Sequence, residues 1–307
     1  MILKNLIAAT YTPMNQDGSL SVDVIPGYCN FLRNNKVAGV FMNGTTGDFA
    51  SLQISERKEI VNAWNKCKQP DLFLIDHVGD TSLENAKELA SHSADKVDAI
   101  AALAPYYFRL NSVEKLITYC SEIAACAPNL PFYYYHIPVL SGANLDMVEF
   151  LKRASKVIPN LAGIKFTSND LIGFREASDF QNGAFNILFG FDEIFLAGLG
   201  FGAKGWVGST YNHLAPLYYE VKRLFENGEN EAAAVLQEKA IRFVQTLDGV
   251  GGFNGAGKGF MKYLGIDCGP SRFPHSTVED NVYQSVLEEL KTLGLSKWFC
   301  KKPTSID

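Results

Sequence analysis

Short apolar runs rich in β-branched and aromatic residues recur along most of the chain, and longer stretches with apolar positions every three or four residues lie between them. The short runs fall at 6–11, 37–42, 72–77, 97–103, 132–136, 161–166, 186–189 and 205–207. Unbroken apolar character is the pattern of a strand buried on both faces, as in a parallel sheet. Helical spacing falls at 55–68, 81–93, 112–127, 146–157, 170–178 and 192–199, with Ser55 placed to cap the first and Glu56 and Glu59 in its opening turn. Eight strands alternating with helices predict an α/β fold, a (β/α)8 TIM barrel. An open doubly wound sheet would also alternate, but eight units without a break favour closure.

Beyond residue 212 the strand pattern stops, and 215–227, 229–247, 258–264 and 277–293 read as helices. The expected organisation is a catalytic barrel over 1–225 and a C-terminal helical extension over 226–307. No low-complexity linker separates the two, so the extension is expected to pack on the barrel as one structural unit.

Of the 307 residues, 47% are hydrophobic and 20% charged, enough for one large core. A net charge of -5 argues against nucleic acid or an anionic membrane as the main partner. No apolar run approaches the length of a membrane span, and residues 1–7 turn polar too quickly for a signal peptide. The six cysteines are scattered without zinc spacing and read as reduced thiols. These features predict a soluble, cytoplasmic protein acting on a small molecule.

Chemistry on a barrel gathers at the C-terminal ends of the strands. The second strand is followed by Asn43-Gly44-Thr45-Thr46-Gly47-Asp48, where hydroxyls and exposed backbone N–H groups suit a carboxylate or phosphate; an ordinary glycine turn has the same composition. In Tyr133-Tyr134-Tyr135-His136, alternation puts Tyr133 and Tyr135 on one face, as proton relays or as aromatic packing. The sixth strand ends in Gly163-Ile164-Lys165-Phe166. A lysine there is costly unless paired or neutral, and a neutral amine is the nucleophile needed for a Schiff base; one that only snorkels to water has no such role. Asp192 and Glu193 follow the seventh strand, suited to sugar hydroxyls or to starting a helix, and Ser209 and Thr210 follow the eighth.

Two glycine motifs point elsewhere. Gly200-Phe201-Gly202-Ala203-Lys204-Gly205 matches a dinucleotide-binding pattern but precedes a strand instead of opening a helix. The stretch from Gly252 to Lys258 matches most of a P-loop, but Gly259 stands where Ser or Thr would hold magnesium. Both are expected to be flexible turns. The five histidines show no metal-binding spacing, so neither a metal nor a cofactor is expected.

In order and spacing, Gly44-Thr45-Thr46-Gly47, Tyr135-His136-Ile137-Pro138, Gly163-Ile164-Lys165-Phe166-Thr167, Gly190-Phe191-Asp192-Glu193 and Gly208-Ser209-Thr210-Tyr211 resemble the N-acetylneuraminate lyase and dihydrodipicolinate synthase family. The similarity runs along the whole chain. It implies a (β/α)8 barrel with a helical C-terminal part, typically a homotetramer, that forms a Schiff base between a barrel lysine and an α-keto acid. The synthases carry an arginine where this chain has Leu140, and His136 replaces the usual Asn. The long tyrosine motif resembles the sialic acid branch, although Asp48 stands where Glu is common.

The resemblance therefore implies a class I aldolase that cleaves N-acetylneuraminate to N-acetylmannosamine and pyruvate, or a related aldolase for another 2-keto-3-deoxy sugar acid. Lys165 would be the nucleophile and Tyr135 the proton relay. Thr45 and Thr46 would hold the carboxylate; Thr167, Asp192, Glu193 and Ser209 would bind sugar hydroxyls, with Gly190 allowing close backbone approach. Tyr107, in Ala104-Pro105-Tyr106-Tyr107, resembles an aromatic sent toward a neighbouring subunit's site.

Overall fold

The computed structural model describes residues 3–301; Met1 and Ile2 of the N-terminal stretch, and 302–307 of the expected extension, lie outside the described residues. Eight parallel strands close into one barrel in sequence order. They are β1 (Asn5–Ala9), β2 (Gly39–Met42), β3 (Phe73–His77), β4 (Ala99–Leu103), β5 (Phe132–His136), β6 (Leu161–Phe166), β7 (Asn186–Phe189) and β8 (Gly205–Gly208). Between and after them run α1 (Ile25–Asn34), α2 (Ile54–Lys66), α3 (Leu83–Ser93), α4 (Val113–Ala125), α5 (Pro138–Ser141), α6 (Met147–Ala154), α7 (Leu171–Asp179), α8 (Phe195–Gly200) and α9 (Tyr211–Glu226). The C-terminal helices are α10 (Asn230–Asp248), α11 (Phe253–Phe260) and α12 (Asp280–Thr292). The barrel matches the sequence expectation.

Two apolar layers follow from the two-residue period of the strands. Ile7, Phe41, Ile75, Ala101, Leu103, Tyr133, Tyr135 and Leu188 pack in the lumen. Leu6, Val40, Leu74, Ala102, Tyr134, Ile164 and Phe189 face outward against the helices. Side-chain oxygens of Ser82, Ser112, Asp146 and Asp170 accept backbone N–H groups at the starts of α3, α4, α6 and α7.

Three local expectations change. Helix α2 begins at Ile54 rather than at a Ser55 cap, and Glu56 accepts the Gln53 backbone N–H at 2.8 Å. Helix α1 was not read from the sequence, since Pro26 and Gly27 disguise its start; Pro fits the first turn, and Ile25, Tyr28, Cys29, Phe31 and Leu32 form its buried face. The stretch from Gly252 to Lys258 is not a flexible turn, because α11 runs through it. Its glycines serve close packing: a Cβ at Gly255, Gly257 or Gly259 would lie 2.1 Å from the Ser276 oxygen, 2.4 Å from the Tyr11 hydroxyl or 2.2 Å from the Tyr283 hydroxyl.

Candidate active site

A cavity of about 290 Å³ opens at the C-terminal ends of the strands, and Thr45, Thr46, Tyr135, Lys165, Thr167, Gly190, Asp192, Glu193 and Ser209 all line it. The structure thus brings together nine of the residues singled out from the sequence. Tyr107 is not among them. Its ring is 77% exposed and stands edge-on to Phe108 at 5.0 Å.

Lys165 points into the lumen from β6, opposite Tyr135 in the register of β5. Its Nζ lies 3.9 Å from the ring centroids of both Phe41 and Tyr135. Burial among these rings pulls the ammonium down to about 7, an effect that the Asp192 carboxylate partly offsets. Much of the amine is therefore neutral near neutral pH, and a neutral amine attacks a ketone. Burial pushes the Tyr135 hydroxyl up to about 12, with the nearby Thr45 and Thr167 hydroxyls pulling the other way. The phenol keeps its proton and lies 3.3 Å from Thr45 Oγ1.

Asp192 is held from one side only. Thr210 donates to Oδ2 from its hydroxyl at 2.6 Å and from its backbone N–H at 3.0 Å. That hydroxyl in turn accepts from Tyr218 Oη at 2.8 Å. Asp192 Oδ1 and Thr167 Oγ1 are buried without a hydrogen-bond partner among the described residues. Orphaned buried oxygens are uncommon, and a polyhydroxylated ligand would satisfy them. Glycine is required beside both: a Cβ at Gly208 would lie 1.7 Å from Asp192 Oδ1, and one at Gly190 would lie 2.2 Å from Thr167 Oγ1. Burial, with Asp192 adjacent, raises the Glu193 carboxyl above its ordinary value.

The threonine loop rests on a buried polar network. His77 accepts the Leu103 N–H at Nε2, 3.3 Å, so its Nδ1–H donates to the Asn43 carbonyl at 2.8 Å. Asn43 Nδ2 donates to Asp76 at 2.7 Å, and Arg57, wholly buried, donates to the carbonyls of His77 (2.5 Å) and Gly79 (3.2 Å). His136 faces away from the cavity and packs on Phe166 at 4.9 Å. Burial pulls it down to about 4, so it is a neutral wall residue with an unpartnered Nδ1.

Sequence reasoning missed the contribution of the C-terminal part. Phe253 and Asn254 at the start of α11, and His275, also line the cavity. Asn254 Nδ2 donates to the Thr45 carbonyl at 3.2 Å across 209 positions of sequence. Only the glycine-rich stretch marked this region, and it pointed to phosphate. A second cavity of about 250 Å³, lined by Asp48, Phe49, Tyr106 and Leu140 among others, shares Thr45 and His275 with the first.

Residues 2–293 match the model of the dihydrodipicolinate synthetase family. The N-acetylneuraminate lyase of Xenopus tropicalis is 37% identical over 298 residues, 95% of this chain and 97% of that protein. The human N-acetylneuraminate lyase is 38% identical over 297 residues, covering 95% and 92%. The solved structure of Proteus mirabilis N-acetylneuraminate lyase superimposes with a TM-score of 0.92 at 37% identity, covering 95% of this chain and 99% of that one.

Proposed function

Because the chain belongs to the dihydrodipicolinate synthetase family, we propose that it is a lyase, a Schiff-base aldolase that cleaves N-acetylneuraminate to N-acetylmannosamine and pyruvate. The observation that carries the reading is the buried Lys165 amine, lowered to about 7 and facing Tyr135 in a cavity lined by hydroxyls and carboxylates. The similarity to N-acetylneuraminate lyases along 95% of the chain supports this substrate.

In this mechanism, Lys165 Nζ attacks the C2 ketone of the open-chain sugar acid, and water leaves to give an iminium ion. The C3–C4 bond then breaks with its electron pair flowing into the iminium. The C4 hydroxyl gives up its proton, by way of Tyr135, and becomes the aldehyde of N-acetylmannosamine. The remaining enamine takes a proton at C3 and is hydrolysed, releasing pyruvate and the free amine. Thr45 and Thr46 hold the substrate carboxylate, and Thr167, Asp192, Glu193 and Ser209 hold the sugar hydroxyls.

The test is incubation with N-acetylneuraminate and, separately, borohydride trapping with pyruvate followed by peptide mapping. Release of N-acetylmannosamine and an adduct on Lys165 are expected; cleavage of 2-keto-3-deoxygluconate alone, or an adduct elsewhere, would overturn the reading. We further propose that the protein is a cytoplasmic homotetramer of carbohydrate metabolism, with the extension over 226–307 working as one unit with the barrel. The exposed Tyr107 and Phe108, 77% and 82% accessible, offer apolar surface for such an assembly to cover. Light scattering on the eluting protein measures its mass.

A further inference from the structure

His275 lines both cavities at the barrel mouth. The segment that carries it is held from two sides. Lys258 of α11 donates to the Pro270 carbonyl at 2.5 Å. Arg272 donates to the carbonyls of Gly18 (2.7 Å) and Ser51 (3.0 Å) and to Glu56 Oε2 (2.7 Å). The His275 backbone N–H turns back onto the Arg272 carbonyl at 2.9 Å. Its ring Nε2 then lies 3.2 Å from Asn254 Nδ2, the same nitrogen that donates to the Thr45 carbonyl at 3.2 Å. Thr45 takes one amide hydrogen, and the other has no partner but His275 among the described residues. Nε2 therefore accepts it through its lone pair. Asp48 Oδ1 stands farther from Nε2, at 3.4 Å, and has the Ser51 hydroxyl within 3.1 Å as a donor. The contacts end at the chemistry, since Thr45 Oγ1 lies 3.3 Å from the Tyr135 hydroxyl.

We propose that His275 is a positioning residue for 2-keto acid binding, a role that rests on the aldolase reading: it fixes the Asn254 amide, which in turn holds the Thr45 carbonyl. The terminal torsion of an asparagine is soft. One hydrogen bond leaves the amide free to pivot about its partner, whereas a second, to His275, sets its plane. The Thr45 carbonyl and the Thr46 N–H belong to one planar peptide unit, so the direction of the first determines the direction of the second. That N–H and the two threonine hydroxyls are the groups offered to the substrate carboxylate. His275 thus acts on binding through Asn254, from the C-terminal part of the chain.

The experiment is borohydride trapping over a range of pyruvate concentrations, on the full chain, for the parent, His275→Leu, His275→Gln, Asn254→Ala and the variant combining His275→Leu with Asn254→Ala. Leucine keeps the bulk but offers no acceptor, and the pyruvate concentration at half-maximal trapping is expected to rise about 10-fold, the worth of roughly one hydrogen bond. Glutamine offers a side-chain carbonyl oxygen as acceptor and should restore most of the loss. Asn254→Ala should lose at least as much as His275→Leu, and adding His275→Leu to it should cost nothing more. A merely structural role would lower the melting temperature of His275→Leu and leave its half-saturation at the parent value, which would overturn the proposal. A glutamine variant as weak as the leucine one, or a double variant whose losses multiply, would overturn it too. A parent protein that traps no pyruvate would overturn the aldolase reading itself, and this role with it. If Asn254→Ala fails to fold, the leucine and glutamine pair still decides.

Discussion

Tyr135 and Lys165 stand directly opposite each other across the β5–β6 pair because β6 carries one extra residue. Phe132 pairs with Leu161, but Tyr133 pairs with Gly163, so Ala162 is accommodated as a bulge. Ala162 packs toward the lumen cluster and Ile164 toward the outer layer, which breaks strict alternation. Without that irregularity, alternation from Ala162 would turn Lys165 outward. The bulge therefore delivers the amine to the phenol.

Removing the phenol oxygen should separate binding from turnover. In Tyr135→Phe the ring still flanks Nζ at the 3.9 Å contact, so pyruvate should still form a trappable adduct. The turnover number is expected to fall about 10²–10⁴-fold, the usual worth of a positioned proton-transfer group. Unchanged turnover in a steady-state assay would remove Tyr135 from the proton path.

Lys165 is expected to cost stability. Its folded value is lowered from 10.5 to about 7, so between those values the unfolded chain holds a proton that the folded one lacks. Stability contributed at this site therefore rises with pH across that window, and the penalty is fullest below about 7. Lys165→Met should abolish activity yet raise stability at pH 6, by on the order of a few kcal/mol. Denaturant melts of both proteins at pH 6 and 10 measure it; an equal difference at both would contradict the burial account. The wild-type kcat/KM should climb as pH rises through about 7, as the free amine appears.

Thr210 should govern sugar affinity without touching the nucleophile. Its hydroxyl donates to Asp192 Oδ2 at 2.6 Å and orients the free Oδ1. Thr210→Val is expected to raise KM for N-acetylneuraminate about 10-fold, the loss of one charge-assisted hydrogen bond. Trapping of pyruvate on Lys165 should be unaffected. Equal loss of both would mean that the barrel mouth had distorted.

Gly208 tests the same carboxylate sterically. The Cβ of Gly208→Ala would lie 1.7 Å from Asp192 Oδ1 and force the side chain aside. Cleavage efficiency is expected to drop about 100-fold, the scale of a catalytic geometry displaced by roughly 1 Å. A crystal structure of an active variant with Asp192 unmoved would refute this.

Arg57 underpins the threonine loop from behind. Arg57→Met leaves the buried carbonyls of His77 and Gly79 short of donors, and Asp76 without its compensating charge. A loss of roughly 3–5 kcal/mol is expected in urea unfolding, with a weaker hold on pyruvate because His77 carries the Asn43 carbonyl. A variant as stable as the parent would show that the network is not needed.

The sequence by itself determined the alternation of strands and helices, because burial on both faces and burial on one stripe leave different apolar periods. It also put hydroxyls, a tyrosine, a lysine and two carboxylates at strand ends, which the barrel topology gathers at one mouth. Other features depend on contacts between distant residues. The register shift at Ala162, the one-sided hold of Thr210 on Asp192, and Asn254 reaching Thr45 leave no local pattern. Close packing and phosphate binding both call for glycine, so the stretch from Gly252 to Lys258 is ambiguous until Ser276, Tyr11 and Tyr283 are seen against it. Lys165 was visible as a residue, but its neutrality comes from Phe41 and Tyr135, brought within 3.9 Å from other strands. Periodicity is a local property of the chain, whereas desolvation arises only when the barrel closes.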